Sequence, residues 1–593
     1  MQRKKWQQQI GSKRDWRIEF FLFGMIIFAA VIIVKLFVIQ IMDHETYAAL
    51  ASGQHELFKK LYPERGHVFA HDGKDLSLIP VITNHQLAFL YADPRLVKDA
   101  SSTIAAIAAH IPLTEDQTIS LKERLSQEKD PYEPIKRGVS KDVMDQINTA
   151  KLPGIFSVLE PSRLYPEAMM SGHVLGFLGS NKEGKSTGKY GIEGFFDKEL
   201  SGTEGFLKTD RDIAGRMVAV GTHTLQPAKN GSDIILTLDR TIQFKACSVL
   251  QATVLKHGAD GGSIIIVEPS TGRILAMCGN PDYDPNHFNQ VKNINDFNNP
   301  SIFGSYEPGS VFKPITMAAA VDVGAVSPST TFEDTGMTMV DGWPKPIRNA
   351  QDKKYGVVDM TTVLEESINT GMIFTVRKMG SEIFSNYVKK FGFGKITGIE
   401  LETESPGNIS SLEKKSEIFR ATASFGQGIS VTPLQIVMAY AAIANGGILK
   451  KPYIVDEIRH PDGTVDKRSP QDVTQVISQK TSRTLGAMLV AVVEYGQGKR
   501  AGVSGYYIGG KTGTAQVASE NGGYSEDNTI GSFAGFGPVE DPKFAMIVRI
   551  DHPRDVQWAE STAAPFFGEM AKFLLQYFEV PPIRSLEKSG KAR

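Results

Sequence analysis

The sequence predicts an α+β protein in three parts: an N-terminal transmembrane helix, an elongated, mixed, β-rich region, and a larger domain with an antiparallel sheet and a segregated helical block. Three observations predict this. One long apolar run stands near the N-terminus. Short strand-like segments and Gly-rich turns follow it. From about residue 231 the order is strands, a long helical stretch, then strands again.

Phe20 to Val34 contains only apolar residues and Gly, and after Lys35 the apolar character resumes to Met42. That length spans a bilayer as a helix. Lys35 lies near the outer end, where a lysine snorkels to the headgroups. Arg3, Lys4, Lys5, Lys13, Arg14 and Arg17 precede the run and place the N-terminus in the cytoplasm. A cleaved signal peptide would have a shorter apolar core and a small-x-small site; Gln40-Ile41-Met42-Asp43-His44 supplies none. The expectation is a basic cytoplasmic segment 1–18 and an uncleaved anchor 19–42. The protein is then single-pass in the cytoplasmic membrane, with its working part on the periplasmic side.

Composition narrows the function classes. The chain of 593 residues is 41% hydrophobic and 22% charged, enough to bury several cores. A net charge of −1 gives no reason to expect a nucleic-acid partner. Cys247 and Cys278 do not make a disulfide framework; one bridge between them stays open but disfavoured. With no CxxC, no HExxH and no clustered His, Asp and Glu, neither a metal nor a cofactor is expected.

Residues 43–230 read as a non-catalytic pedestal. Asp43 to Lys60 continues as helix-like sequence. Arg65 to Tyr91 reads as short strands broken at Asp72-Gly73. Residues 100–150 read as helical, with a capping box at Thr114 to Gln117 and a second cap at Ser140. Strands and Gly-rich loops return over 160–230. Gly179 to Ser186 matches the P-loop pattern after a strand-like His173 to Leu178. Yet Thr187-Gly188-Lys189-Tyr190-Gly191 opposes the helix a P-loop must enter, so a Gly/Lys loop is expected.

Residues 231–578 form the second character. Ile234 to Leu238 is a strand and Thr241 to Lys256 a helix. Ser263 to Val267 and Arg273 to Met277 form an antiparallel hairpin around Pro269-Ser270-Thr271-Gly272. After the helical block the sheet resumes at 505–516, 531–536 and 544–550. Residues 579–593 read as a flexible tail.

Three motifs carry chemistry. Pro308 and Gly309 break the chain before Ser310, and a helix follows, so Ser310 sits at a helix N-terminus that favours an anion. Spacing of three puts Lys313 on the same face, where burial or nearby cations lower its pKa and let it take the serine proton. The same Ser-x-x-Lys spacing at Ser126, Ser186, Ser411 and Ser585 reads as surface pairs, so one match carries little. Ser367-Ile368-Asn369 offers a hydroxyl and an amide two residues apart. Lys511-Thr512-Gly513-Thr514 lies on a strand whose lysine and two hydroxyls hold a carboxylate. Gly513 there leaves room for a peptide to add as a strand. Taken together in this order, the three form the motif set of penicillin-binding proteins and serine β-lactamases.

On these residues the chain resembles the class B penicillin-binding proteins, the monofunctional transpeptidases. Arg65-Gly66-His67-Val68, Arg163-Leu164-Tyr165-Pro166, His173-Val174-Leu175-Gly176 and Gly191-Ile192-Glu193 are similar to the family's pedestal motifs. Leu236 to Asp239 with Gln243, Glu307 to Ser310, and Thr432 to Gln435 are similar to its catalytic domain. Where the family usually has Asp-Arg, five residues after the first arginine, this chain has Ala70-His71.

The resemblance implies an activity. Ser310 attacks the penultimate D-alanine of a stem peptide, with Lys313 as general base. Ser367 relays a proton and Asn369 positions the substrate amide. Lys511, Thr512 and Thr514 hold the terminal carboxylate, and backbone N–H groups of Ser310 and Thr514 form the oxyanion hole. The D-alanyl-D-alanine end of a stem peptide is the substrate, a neighbouring amine the acceptor, and β-lactams acylate Ser310. A SEDS-family glycosyltransferase and other division or elongation membrane proteins are the implied partners. Ser424 to Ile429 favours the division (septal) type over the elongation type. The same motifs serve a D,D-carboxypeptidase, a β-lactamase or a β-lactam sensor, which stand as alternatives. The anchor and long pedestal oppose a lactamase, and intact Ser310, Lys313 and Lys511 oppose a non-enzymatic scaffold.

Overall fold

The computed structural model describes residues 16–42, 56–73, 77–127, 129–167, 172–182, 184–210, 224–518 and 524–583. They form two compact units: one of the chain to Pro63 with Thr203–Lys229, the other of Glu64–Gly202 with Asn230 onward.

In the first unit an α-helix runs Trp16–Phe37 and loosens into a π-helical turn at Val38–Met42. Its stretch Phe20–Phe37 is long and apolar enough to cross a membrane, and none of it is buried in protein. Strands Glu56–Leu61, Gly205–Asp210 and Thr224–Gln226 form a three-stranded antiparallel sheet. The helix expected over 43–60 therefore gives way to strand from Glu56, where Phe58 and Lys60 pair across to the second strand. Its portion 43–55 lies outside the described residues, as does most of the expected tail.

The second unit holds two large sheets. The first runs Val465–Lys467, Val455–Arg459, Asp233–Asp239, Val68–Asp72, Ser77–Ala92, Glu133–Val139, with Ile155–Leu164 also paired to Ser77–Ala92. Asp233–Asp239 lies parallel to Val68–Asp72 and antiparallel to Val455–Arg459. The expected boundary near residue 231 thus falls beside one continuous sheet. The short strands expected up to Tyr91 include one of 16 residues, Ser77–Ala92.

Local signals explain what was legible here. Thr114 and Gln117 close a capping box on helix Glu115–Leu125, and Ser140 caps Lys141–Thr149 by accepting from Val143 N. Between them Glu133–Val139 is a strand, not helix; Pro134 and Gly138 oppose a helical path. Phe177–Ser180 and Ser186–Lys189 form a hairpin around the P-loop-like sequence, so its last residue enters a strand, and the short helix Gly191–Phe195 starts only beyond that strand. The expected strand at His173 is a four-residue helical turn, Gly172–Leu175.

Ion pairs tie this region together. Glu193 is fully buried, accepts from Arg163 Nε at 2.6 Å, and meets Arg65 Nη2 at 2.5 Å; Arg65 also reaches Asp197 at 2.8 Å. At the position where the family usually has Asp-Arg, Ala70 packs in the core and His71 meets Asp456 at 3.0 Å.

The second sheet is five-stranded and antiparallel, in the order Ile274–Asn280, Gly261–Val267, Phe544–Asp551, Tyr524–Gly537, Gly509–Ala518. Strand Gly261–Val267 is buried throughout. Its Ile264 and Ile266 enter a core with helices Arg240–His257 and Ala563–Tyr577; Ile265 and Val267 enter the core of the helical block. Helices therefore cover both faces. The stretch expected as strand at 505–508 is a turn, and the edge strand begins at Gly509.

Cys247 and Cys278 are joined by a disulfide, with Cα atoms 5.4 Å apart. Helix Arg240–His257 lays Cys247 over the far edge strand, which carries Cys278. One turn earlier Gln243 pairs with the same strand: it accepts from Met277 N and donates to Met277 O, both at 2.8 Å. The bridge disfavoured by sequence is therefore present, because packing that no local pattern reports brings the two cysteines together.

Candidate active site

Three elements converge on one cavity of about 640 Å³. The first is a tight turn. Gly309 adopts φ +57°, residues Gly309–Phe312 make one 3₁₀ turn, and helix Lys313–Asp322 follows with Pro314 in its first turn. Ser310 is half-buried on the cavity wall. The turn is braced from behind. Gly309 N donates to Gly426 O at 3.0 Å, and a Cβ on Gly426 would lie 2.2 Å from Gly309 O. Tyr440, on the buried helix Pro433–Ala444, donates its hydroxyl to Val311 O at 2.8 Å. Ser424 to Gly428 is thus a backbone brace for the Ser310 turn.

The second element joins two helices, Met360–Glu365 and Asn369–Met379. Ser367 between them holds φ +57° without being glycine, a conformation costing about 1–3 kcal/mol that surroundings must enforce. The strain aims it at Lys313. Lys313 Nζ donates to Ser367 O at 2.5 Å, to Ser367 Oγ at 3.1 Å and to Asn369 Oδ1 at 2.8 Å. Ser367 and Asn369 line the cavity, while Lys313 is fully buried behind them.

The third element is the edge strand Gly509–Ala518. Thr512 and Thr514 line the cavity, and Thr514 Oγ1 accepts from Ala559 N at 3.1 Å. Lys511 is fully buried, 3.2 Å from Thr512 Oγ1. Gly513 packs against the Ser310 turn. A Cβ there would lie 2.8 Å from Ser532 Oγ, 2.9 Å from Pro308 O and 2.9 Å from Val311 Cγ1. Its missing side chain makes room for the Ser310 turn.

Burial shapes both lysines. It pushes Lys313 well below its ordinary value of 10.5, and the positive charge of Lys511 pushes the same way. Burial brings Lys511 down to about 7, against the pull of Glu366 and Glu560, which also line the cavity. A serine at a helix N-terminus, a lysine held toward the neutral amine and a second lysine poised near neutrality make up an acyl-transfer site for an anionic substrate. Glu366, Glu560 and Trp558 had no sequence signal; only the fold brings them to Ser310.

Comparison with known proteins agrees with this geometry. Residues 262–572 match the penicillin binding protein transpeptidase domain, and residues 60–236 match the penicillin-binding protein dimerisation domain. The chain belongs to the penicillin-binding transpeptidases. Within that family it is 34% identical over 566 residues to the stage V sporulation protein D of Bacillus subtilis, covering 95% of this chain and 85% of that protein. It is 28% identical over 596 residues to the peptidoglycan D,D-transpeptidase FtsI of Escherichia coli K12, covering 98% and 95%. Among solved structures, penicillin binding protein 3 of Mycobacterium tuberculosis, complexed with aztreonam, aligns with a TM-score of 0.67 at 25% identity, over 89% of this penicillin-binding transpeptidase and 99% of that chain.

Proposed function

We propose that this chain is a membrane-anchored peptidoglycan D,D-transpeptidase of the septal type, with Ser310 as nucleophile. One observation carries the reading: two fully buried lysines, both pushed toward the neutral amine, stand behind a wall of Ser310, Ser367, Asn369, Thr512 and Thr514.

Neutral Lys313 takes the Ser310 proton as Oγ attacks the penultimate D-alanine carbonyl. The terminal carboxylate draws Lys511 to its ammonium form and lies against Thr512 and Thr514. Backbone N–H groups of Ser310 and Thr514 receive the oxyanion. The Lys313 ammonium so formed donates to Ser367 Oγ across the 3.1 Å contact, and the Ser367 hydroxyl passes its own proton to the departing D-alanine nitrogen. Asn369 holds the substrate amide. The amine of a second stem peptide then attacks the acyl-enzyme and regenerates Ser310. β-Lactams enter by the same first step.

The helix Trp16–Phe37 serves as a single-pass anchor, with the basic N-terminus cytoplasmic and the catalytic part outside. Residues 43–230 act as a pedestal and 231–578 as the catalytic domain. A SEDS-family glycosyltransferase is the partner that supplies glycan strands. Labelling the detergent-solubilised chain with a fluorescent penicillin, beside Ser310→Ala, tests the reading. Label stable for hours on the parent alone is expected. Label on Ser310→Ala overturns the nucleophile, and label lost within seconds points to a β-lactamase.

A further inference from the structure

One fully enclosed carboxylate near the site belongs to none of the three motifs. Asp334 is 2% exposed and ends strand Thr331–Asp334, paired to Gly356 at the start of Gly356–Asp359. The chain between them, 335–355, is an excursion whose far part forms a cavity wall through Ile347, Arg348, Asn349, Gln351, Lys353 and Tyr355. Asp334 sits at its neck.

Its carboxylate is fully used. Oδ1 accepts from Gly336 N at 3.0 Å, Asn349 Nδ2 at 3.0 Å and Thr370 Oγ1 at 2.6 Å. Oδ2 accepts from Asn349 Nδ2 at 2.9 Å and Tyr355 N at 3.0 Å. Asn349 then binds both sides of the gap. Its Oδ1 accepts from Thr370 N and Thr370 Oγ1, both at 3.1 Å, and its Nδ2 also reaches Lys353 O at 3.2 Å. Thr370 is the residue after Asn369, in the first turn of the same helix.

The link runs on to the reacting groups. Asn369 Nδ2 donates to Arg348 O at 3.2 Å, while its Oδ1 accepts from Lys313 Nζ at 2.8 Å. The amide of Asn369 is therefore clamped between the wall and the lysine, and Arg348 O is placed by its neighbour Asn349. The wall needs such a hold, because Gln351 and Asp352 both have positive φ, +58° and +53°, without being glycine.

We propose that Asp334 is a positioning residue of this enzyme: through Asn349 and Thr370 it locks the cavity wall 347–355 to Asn369. The proposal rests on the transpeptidase reading above. The lock sets the orientation of the Asn369 amide, and with it the alignment of the acylated bond over Ser310. Misplacement of reacting groups by about 1 Å costs on the order of 10²-fold in rate.

The test measures acylation of the detergent-solubilised full chain by fluorescent penicillin, separating the non-covalent constant K from the first-order step k2. Rates are normalised to active sites titrated in the same sample, and thermal unfolding is followed in parallel. Asp334→Asn keeps the shape but can serve donors on one oxygen only. Thr370→Val removes one hydroxyl and keeps the Thr370 N contact; Thr370→Ser restores the hydroxyl. The expected result is k2 lower by roughly 10- to 100-fold in Asp334→Asn and Thr370→Val, with K changed less than about threefold and Thr370→Ser within about threefold of the parent. A merely structural role would reduce the titrated sites and the melting temperature and leave k2 per site unchanged; that result overturns the proposal. If Asp334→Asn does not fold, Thr370→Val decides: parent-like k2 overturns, and a loss rescued by Thr370→Ser supports. Failure of the underlying reading is separately visible as an unlabelled parent or a labelled Ser310→Ala.

Discussion

Burying Lys511 costs stability, and Lys511→Met exposes the amount. The side chain is fully buried and titrates at about 7 instead of 10.5. The unfolded chain holds that proton up to about 10.5, while the fold releases it near 7. Between those values the unfolded chain binds more protons, so stability rises with pH across this window. Below pH 7 the penalty is complete, about 4–5 kcal/mol from the depressed value. By pH 9 it is less than about half of that, and above 10.5 it is gone. Methionine fills similar space without charge but forfeits the contacts to Thr512 O and Oγ1 at 3.3 and 3.2 Å. Relaxation of the site trims the gain further, leaving about 2–4 kcal/mol at pH 6. Relief of the like charge on Lys313 acts in the same direction. The assay is thermal unfolding of the detergent-solubilised chain, followed by tryptophan fluorescence at pH 6 and pH 9. At about 2 °C per kcal/mol, the variant melts about 4–8 °C above the parent at pH 6, with a clearly smaller gap at pH 9. A variant less stable than the parent at pH 6, or a gap equal at both pH values, would refute the reasoning.

Two further outcomes follow from packing. Gly513→Ala forces a Cβ to within 3 Å of Ser532 Oγ, Pro308 O and Val311 Cγ1. It should cost about 1–3 kcal/mol of overpacking and slow penicillin acylation at least roughly tenfold by moving the Ser310 turn; stopped-flow labelling checks it. Replacing Cys247 and Cys278 together by alanine opens a cross-link spanning 31 residues, which should destabilise by about 3–4 kcal/mol. Strand Ile274–Asn280 lies four strand spacings, about 19 Å, from the Lys511 strand, so the fraction of chains labelled by penicillin at low temperature should stay unchanged.

What the sequence made legible was local or ordinal. The capping box at Thr114, the apolar run at Phe20–Phe37 and the hairpin at Pro269 to Gly272 are each decided within a few residues. The order of Ser310, Ser367 and Lys511 pointed to a shared site because three weak signals had to agree. What stayed hidden depends on contacts between distant segments. Nothing near Cys247 reports that its helix lies over Cys278. Asp334 is one aspartate among many until strand pairing brings it to Thr370. Gly513 was readable as a close approach but not as to which neighbour, because strand register decides which face meets the Ser310 turn. Glu133–Val139 is an instance of the opposite error, in which helical neighbours on both sides outweighed Pro134 and Gly138.

The site concentrates features that a fold otherwise avoids: two buried lysines with no carboxylate in hydrogen-bond contact among the described residues, a serine held at positive φ, and glycine backbones in contact at Gly309 and Gly426. Each is retained only where the surroundings leave no alternative. Here they are the helix Pro433–Ala444, buried along almost its whole length and pinning Val311 through Tyr440, and the edge strand packed on the same turn. A serine activated by lysine instead of histidine requires this rigidity. An exposed lysine near 10.5 is an ammonium at neutral pH and accepts nothing; only a dry, inflexible wall keeps it close to the neutral amine. On the proposed reading, the stability given up at Lys313 is therefore the same quantity that makes Ser310 a nucleophile. A looser helical block would recover that stability by letting water reach the lysines, and the base would be lost with it.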